Sequence, residues 1–350
     1  MFGLPFVFVK SGLLTGFLYL IFFAAVSLAI HLMYSDVITA TEGKHRFVGY
    51  AEIYLGFVGK WAAVLTVIVG LFLTLAIYLI LSVSFMKLIF PGLPPDLGAV
   101  IFWIMGSGVV VLSLARLANF EVLVELAMAV IIGILFLVGF TRVDFQAIVS
   151  QPLVNFNELL LPYGVLLFAL SGRAAISSVR EYCVKNNINN TKMRRAITYG
   201  TLAPAVVYIL FVLATIWLSP LGVTPDAISG LELGWPGAAY IIGILGICVI
   251  WTSYFFLGLE AKDVLRYDFK LPDTLSLTLV VLIPVLLYFY NSNDLITFMG
   301  IAGGIFLALE SIIVVLMRNK LKPVGLRGYF IMLVFLVGMF YEILKNFFLS

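Results

Sequence analysis

The sequence predicts an all-α, polytopic membrane protein folded as one helix bundle. Three observations carry this. Apolar residues make up 63% of the 350 and charged residues 11%, against roughly 45–50% and about 25% in soluble domains. The mean hydropathy is +1.15. Apolar runs recur at about the 20 residues a spanning helix needs, without the alternation of a membrane β-barrel. No polar stretch is long enough for a separate soluble domain, so residues 1–350 read as a single transmembrane domain in contact with the lipid bilayer.

About ten full spans follow from the length criterion. They are Gly12–Tyr34, Trp61–Ser82, Gly98–Leu117, Phe120–Phe140, Leu159–Arg180, Ile197–Leu218, Ala238–Leu259, Leu275–Tyr290, Leu295–Met317 and Gly328–Phe348. Residues 1–9 form a half-span before them. Lys and Arg concentrate in alternate loops, as cytoplasmic loops require. One set holds Lys44, Arg46, Lys60, Arg116, Arg180, Lys185, Lys192, Arg194 and Arg195, then Lys262, Arg266, Lys270, Arg318, Lys320, Lys322 and Arg327. The other set holds Lys10, Lys87, Arg142 and Lys345. The first set is expected inside, which puts both ends of this chain outside. The glycosylation pattern Asn189-Asn190-Thr191 then lies on the cytoplasmic side and is not expected to be used.

A net charge of +3 gives no reason to expect nucleic acid. Cys183 and Cys248 are too isolated for a disulfide framework or a metal site. No metal-ligand spacing, nucleophile elbow or phosphate loop appears, so no cofactor and no enzyme activity are expected. No cleavable leader is expected either. Nothing in the sequence specifies an oligomeric state.

Function is read from two interruptions. Met1-Phe2-Gly3-Leu4-Pro5 sets a Gly and a Pro at the head of an apolar run, as in the middle of a broken helix. Leu161-Pro162-Tyr163-Gly164 and Phe168-Ala169-Leu170-Ser171-Gly172-Arg173 interrupt a second span near its outer end and its middle. Backbone freed in a membrane is tolerated only where it is buried in protein or lines a cavity. With residues 1–9 as the outer half of helix one, the breaks lie five helices apart, so the two copies run in opposite directions. Such an inverted repeat holds substrate at its interface. Exposed N–H ends suit a carboxylate and exposed C=O ends suit an ammonium or a cation. A zwitterionic amino acid fits both. The first repeat would comprise residues 1–9 and 12–140 and the second 159–317, with 328–348 as an extra helix.

Charged and polar residues inside the spans leave alternatives open. Arg173 either contacts substrate or a gate, or reaches the cytoplasmic vestibule, because a charge at mid-membrane costs at least about 2.5 kcal/mol. Its possible acidic partners are Glu121, Glu125 and Glu310. His31 is either a proton relay or a packed histidine. Thr252-Ser253 either supplies oxygens to Na⁺ or bonds back to the preceding turn. Gly300, Gly303 and Gly304 read as a helix-packing face.

Several segments together carry a resemblance. They are Met1-Phe2-Gly3-Leu4-Pro5-Phe6, His31-Leu32-Met33-Tyr34, Gly43-Lys44-His45-Arg46, Gly49-Tyr50-Ala51-Glu52, Pro162-Tyr163-Gly164, Phe168 to Gly172, and Asp263-Val264-Leu265-Arg266-Tyr267-Asp268. Across essentially the whole chain, they resemble the aromatic amino acid and amino acid/auxin permeases of the amino acid–polyamine–organocation superfamily. The resemblance implies a LeuT-like five-plus-five inverted-repeat fold, alternating access and cation-coupled uptake of a neutral or aromatic amino acid across a prokaryotic plasma membrane. It implies that Gly3, Leu4 and Pro5 flank the unwound part of helix one. Phe168, Ala169, Leu170, Ser171 and Gly172 form the counterpart in helix six, with Arg173 just beyond. Tyr78 caps the substrate, and Thr252 and Ser253 match a sodium-site pair, although proton-coupled relatives can carry a similar one. The coupling ion is therefore H⁺ or Na⁺. The family's Gly-Ala-Gly stretch has no counterpart before Met1, so the inner half of helix one is expected to be missing. The competing expectation is a non-transporting sensor or scaffold on a degenerate permease fold, and a passive channel is a third.

Overall fold

A computed structural model describes residues 1–43, 45–112, 118–142, 152–231, 236–290 and 294–348. Lys44 and Arg116 lie outside the described residues, as does the side chain of Glu121. Every regular element among the described residues is helical, which in a bilayer is the way an open chain satisfies its backbone.

The helices are α1 (Leu4–Ser11), α2 (Leu13–Ala40), α3 (Phe47–Ile89), α4 (Pro95–Leu112), α5 (Ala118–Phe140), α6 (Pro162–Ala169), α7 (Arg173–Lys185), α8 (Asn190–Leu218), α9 (Pro236–Asp263), α10 (Asp273–Tyr290), α11 (Leu295–Ile301), α12 (Ala308–Leu321) and α13 (Gly325–Phe347). A π turn, Val264–Asp268, extends α9, and a π stretch, Ala302–Leu307, joins α11 to α12. Nine helical segments among the described residues are long and apolar enough to cross a membrane. The shorter apolar helix Pro95–Val110 belongs to the span expected at Gly98–Leu117, whose last five residues lie outside the description. The protein is thus a polytopic helical membrane bundle.

Three local features depart from simple spans. The 43 residues of α3 would measure about 65 Å as one rod, twice a bilayer core. Gly56 divides them with φ 70°. A Cβ there would meet open space, so glycine is required for the backbone angle and not for room. At the α1–α2 corner, Gly12 adopts φ 96° and a Cβ would overlap the Leu153 carbonyl. Residues 153–155 pack into that corner. Leu14 N donates to Leu153 O at 3.1 Å, and Asn155 N to Ser11 O at 2.9 Å. Asn155 Nδ2 donates to Lys10 O at 2.9 Å, so the segment caps the end of one helix and the start of the next.

The third is the π stretch. A Cβ on Gly303 would overlap the Gly164 carbonyl, so α6 lies directly on this stretch, backbone to backbone. This matches the packing role expected of the glycine face.

Basic loops gather at one end of the bundle. Asp36 on α2 accepts from Arg194 at 2.5 Å and Arg318 at 2.9 Å. Arg46 donates to Asp263 at 2.8 Å, and Asp273 pairs with Lys262 at 3.2 Å and Arg266 at 3.0 Å. Most of these partners are well exposed, so they add little stability.

At the opposite end, the loop after α8 folds inward on Ala227 and Ile228, both buried. Asp226 Oδ1 accepts from Thr224 Oγ1 at 2.6 Å and from the amides of Ile228 and Ser229, each at 3.2 Å. These bonds hold Ala227 at φ 58°, which a residue with a Cβ rarely adopts. Burial pushes the Asp226 carboxyl up, but hydrogen bonds from Ser229, Ser84 and Thr224 outweigh it and hold it below the usual carboxylate range. A depressed folded pKa stabilises above the unfolded value and loses that stabilisation as pH falls through the folded one. Asp226→Ala is expected to cost about 1–3 kcal/mol and to remove the acid-side part of this loop's stability. Thermal unfolding in detergent from neutral pH down to about pH 3 tests both.

Candidate functional site

The span 162–185 breaks after Ala169 and resumes at Arg173. Leu170 closes the first run at φ −92°, ψ 6°, and Gly172, at φ −153°, ψ 9°, leads into the second. The carbonyls freed at the end of α6 are taken locally. Ser171 Oγ donates to Phe168 O at 2.9 Å, and Tyr208 Oη on α8 donates to Ala169 O at 2.7 Å. The start of α7 differs, because no side chain caps it. Its first amides therefore point out of the break with the positive end of the helix dipole.

The break opens into a cavity of about 680 Å³, within the usual range for small-molecule sites. Besides the break, α11, the π stretch and α12 wall it through Met299, Leu307 and Glu310. Met1 and Phe2 come from the chain ahead of α1, His31 from α2, Tyr78 from α3, Glu125 from α5, Tyr208 from α8 and Ser253 from α9. Phe2 is fixed edge-on against Phe85 and Phe211, with ring centroids 5.1 and 5.7 Å away. Such edge-to-face packing sets an aromatic wall rigidly.

His31 sits under the break. Thr201 Oγ1 donates its hydrogen to Ile197 O at 2.8 Å. It must therefore accept from His31 Nδ1, 2.9 Å away. The neutral ring then carries its lone pair on Nε2. A Cβ on Gly172 would come 3.1 Å from the His31 ring carbon beside Nε2.

Arg173 closes the cavity toward the basic end. Its Nε donates to Glu310 on α12 at 2.5 Å, and its Nη2 lies 3.6 Å from Glu260 on α9. The guanidinium also stacks over Phe47 at 4.3 Å. The Arg173 and Glu310 side chains are 15% and 7% exposed, so their desolvation is repaid only by this paired geometry.

The sequence-derived residues separate into two groups. Tyr78, Phe168, Ala169, Leu170, Ser171, Gly172, Arg173 and Ser253 all line the cavity. Gly3, Leu4 and Pro5 do not line it. Leu4 and Pro5 are buried at the start of α1. A Cβ on Gly3 would come 2.8 Å from Met299 Sδ and 3.1 Å from Val165. Thr252 is buried and donates to Val249 O at 3.0 Å, the back-bonded alternative. Glu310, one of the acids named for Arg173, is its close partner. Glu260 was not foreseen, because it stands two residues before Lys262 and reads as part of a charged loop. Tyr208 is one of 16 tyrosines, and nothing in the sequence distinguishes it.

Two outcomes follow from this geometry. Gly172→Leu crowds His31 and the break, and is expected to abolish ligand binding in the cavity while membrane abundance on immunoblots stays normal. Glu310→Leu strands Arg173 and should lower stability by about 3–5 kcal/mol. Arg173→Met with Glu310→Leu should recover part of that loss in thermal unfolding.

No curated protein matches the chain. The family model for the tryptophan/tyrosine permeases matches residues 1–225, which takes in α1 to α8 and therefore the break, Tyr78 and Tyr208. With well over half of its length matched, and with a broken helix opening into an aromatic-walled cavity inside a membrane bundle, the chain belongs to the tryptophan/tyrosine permease family.

Proposed function

We propose that the chain is a secondary active transporter that imports a neutral or aromatic amino acid by alternating access, driven by H⁺ or Na⁺, in a prokaryotic plasma membrane. Membership of the permease family supports amino acid transport. The observation that carries the rest is the uncapped start of α7 opening into the cavity beside carbonyls of the same break. In this reading the amides at Gly172 to Ala174 hold the substrate carboxylate, since a helix N-terminus favours an anion. The substrate ammonium lies toward Phe168 to Ser171. The side chain packs between Phe2, Tyr78 and Phe168.

Gly3, Leu4 and Pro5 act one layer back, by seating α1 so that Met1 and Phe2 reach the cavity. Ser253 is the member of the hydroxyl pair that faces the cavity, so a Na⁺ site would draw on it before Thr252. The start of α7 belongs to the moving part and Glu260 and Glu310 to its surroundings, so inward opening separates Arg173 from at least one of them.

Proteoliposomes holding the purified chain and supplied with labelled tryptophan or tyrosine test this. Expected are saturable uptake, counterflow, and dependence on either an H⁺ or a Na⁺ gradient. Absence of uptake for both amino acids, or flux that rises linearly without counterflow, would overturn the reading.

A further inference from the structure

A second buried carboxylate lies away from the cavity. Glu342 on α13 is 1% exposed, five residues before the helix ends, in the half of the bundle away from the basic loops. Its carboxylate accepts from Asn346 Nδ2 at 3.0 Å, a neutral donor, and its Oε1 lies against Gly164. Gly164 belongs to the first turn of α6, where the positive end of the helix dipole favours an anion.

The surroundings are shaped to admit this side chain. A Cβ on Gly164 would come 2.7 Å from Glu342 Oε1, and one on Gly300 would come 2.9 Å from Oε2. A Cβ on Gly304 would overlap Glu342 Cγ. Three glycines, on α6, on α11 and in the π stretch, thus leave room for one carboxylate at the point where those elements meet α13.

The groups that face it are few. Its own helix contributes Lys345 and Tyr341. From α6 comes Tyr163, whose hydroxyl donates to Phe335 O at 3.1 Å. Residues 295–307, which cover α11 and the π stretch, contain no titratable side chain. Of the charged residues on α12, Glu310 is directed at Arg173 and Arg318 at Asp36; Lys320 lies in its last turn.

We propose that Glu342 is a proton-binding site that sets the grip of α13 and the π stretch on the outer half of the broken helix. This deepens the transport reading and rests on it for its role, though not for its chemistry. An ionised carboxylate removed from water and held by one neutral amide is costly unless protonated. When ionised, it lies as an anion against the first turn of α6, where the helix dipole attracts it. On gaining one proton it becomes a neutral acid, and that attraction between charge and dipole is lost. α6 is eight residues long, a rod of about 12 Å. Its other end carries Phe168 and Ala169 on the cavity wall. Protonation at one end of this rod therefore loosens its seat, while the substrate contacts lie at the other end. The arrangement also gives α13 a part in the mechanism, although it lies outside the two repeats expected from the sequence.

The test uses the full chain in proteoliposomes, wild type and Glu342→Gln. Infrared difference spectra across about pH 5 to pH 9 should show a protonated-carboxyl band that titrates in wild type and is lost in the variant. Glutamine keeps the size and an acceptor but cannot ionise. Labelled tryptophan and tyrosine are then followed in two modes. Accumulation driven by a proton gradient should fall about tenfold or more in the variant, with exchange at zero gradient kept within about twofold. If the variant fails to fold, labelling of wild type by a hydrophobic carbodiimide, mapped by mass spectrometry, assigns the proton: modification at Glu342 should rise as pH falls. A band that does not titrate, unchanged gradient-driven accumulation in Glu342→Gln, or pH-independent labelling overturns the site. If wild type carries neither amino acid but the band titrates at Glu342, the proton site stands and the transport reading fails.

Discussion

The constraint on which the rest of the molecule depends is that a backbone inside lipid must find its own hydrogen bonds. Among the described residues the helical path itself is broken in mid-span at Leu170–Gly172, and the surroundings answer that violation piece by piece. Ser171 and Tyr208 take two of the carbonyls. Glycines let α6 lie on the π stretch, so the half-helix is held by backbone contact along its length. A 3.6-residue helix converted to a wider π turn offers a flatter face, and such turns often mark functional positions. What remains unanswered is the start of α7, and that is the part that opens to the cavity.

How much of this could be read in the sequence depended on the kind of signal. Spans were legible because apolar runs are a bulk property, and nearly all appear close to their expected positions. The break at Ser171-Gly172 was legible because glycine and a short hydroxyl residue in mid-span are costly unless used. The length of α3 was not, since Glu52 and Lys60 made its first stretch, residues 47–60, look like loop. The single residue that re-aims the chain, Gly56, resembles any other membrane glycine until its φ is known. The π stretch was equally hidden: one extra residue per turn leaves no pattern in composition. Gly300, Gly303 and Gly304 announced close packing but not the partner.

The site followed the same rule. Residues within the break reach the cavity because the break itself creates it. Gly3, Leu4 and Pro5 were singled out by their helix-breaking character, yet the side chains that reach the cavity are their neighbours Met1 and Phe2. A breaking residue fixes where the chain bends, while the wall is made by whatever stands beside it. Glu260 and Glu342 were missed for opposite reasons. The first sits in a charged neighbourhood and looked ordinary. The second stands near the end of the last span, where a carboxylate normally reaches water.

Arg173 shows how charge balance assigns roles within the proposed site. A guanidinium one residue past the break would be the natural partner for a substrate carboxylate if it were free. It is held by Glu310 and Glu260 and stacked on Phe47. Two carboxylates against one guanidinium leave its neighbourhood without surplus positive charge. Recruiting Arg173 to substrate would strand Glu310, which is as costly as breaking any buried pair. The uncapped amides of α7 carry no such obligation. They are already oriented, and binding an anion there displaces no partner. In the proposed transport reading, the carboxylate therefore goes to the backbone, and Arg173 acts as a tie between the moving half-helix and the helices that surround it.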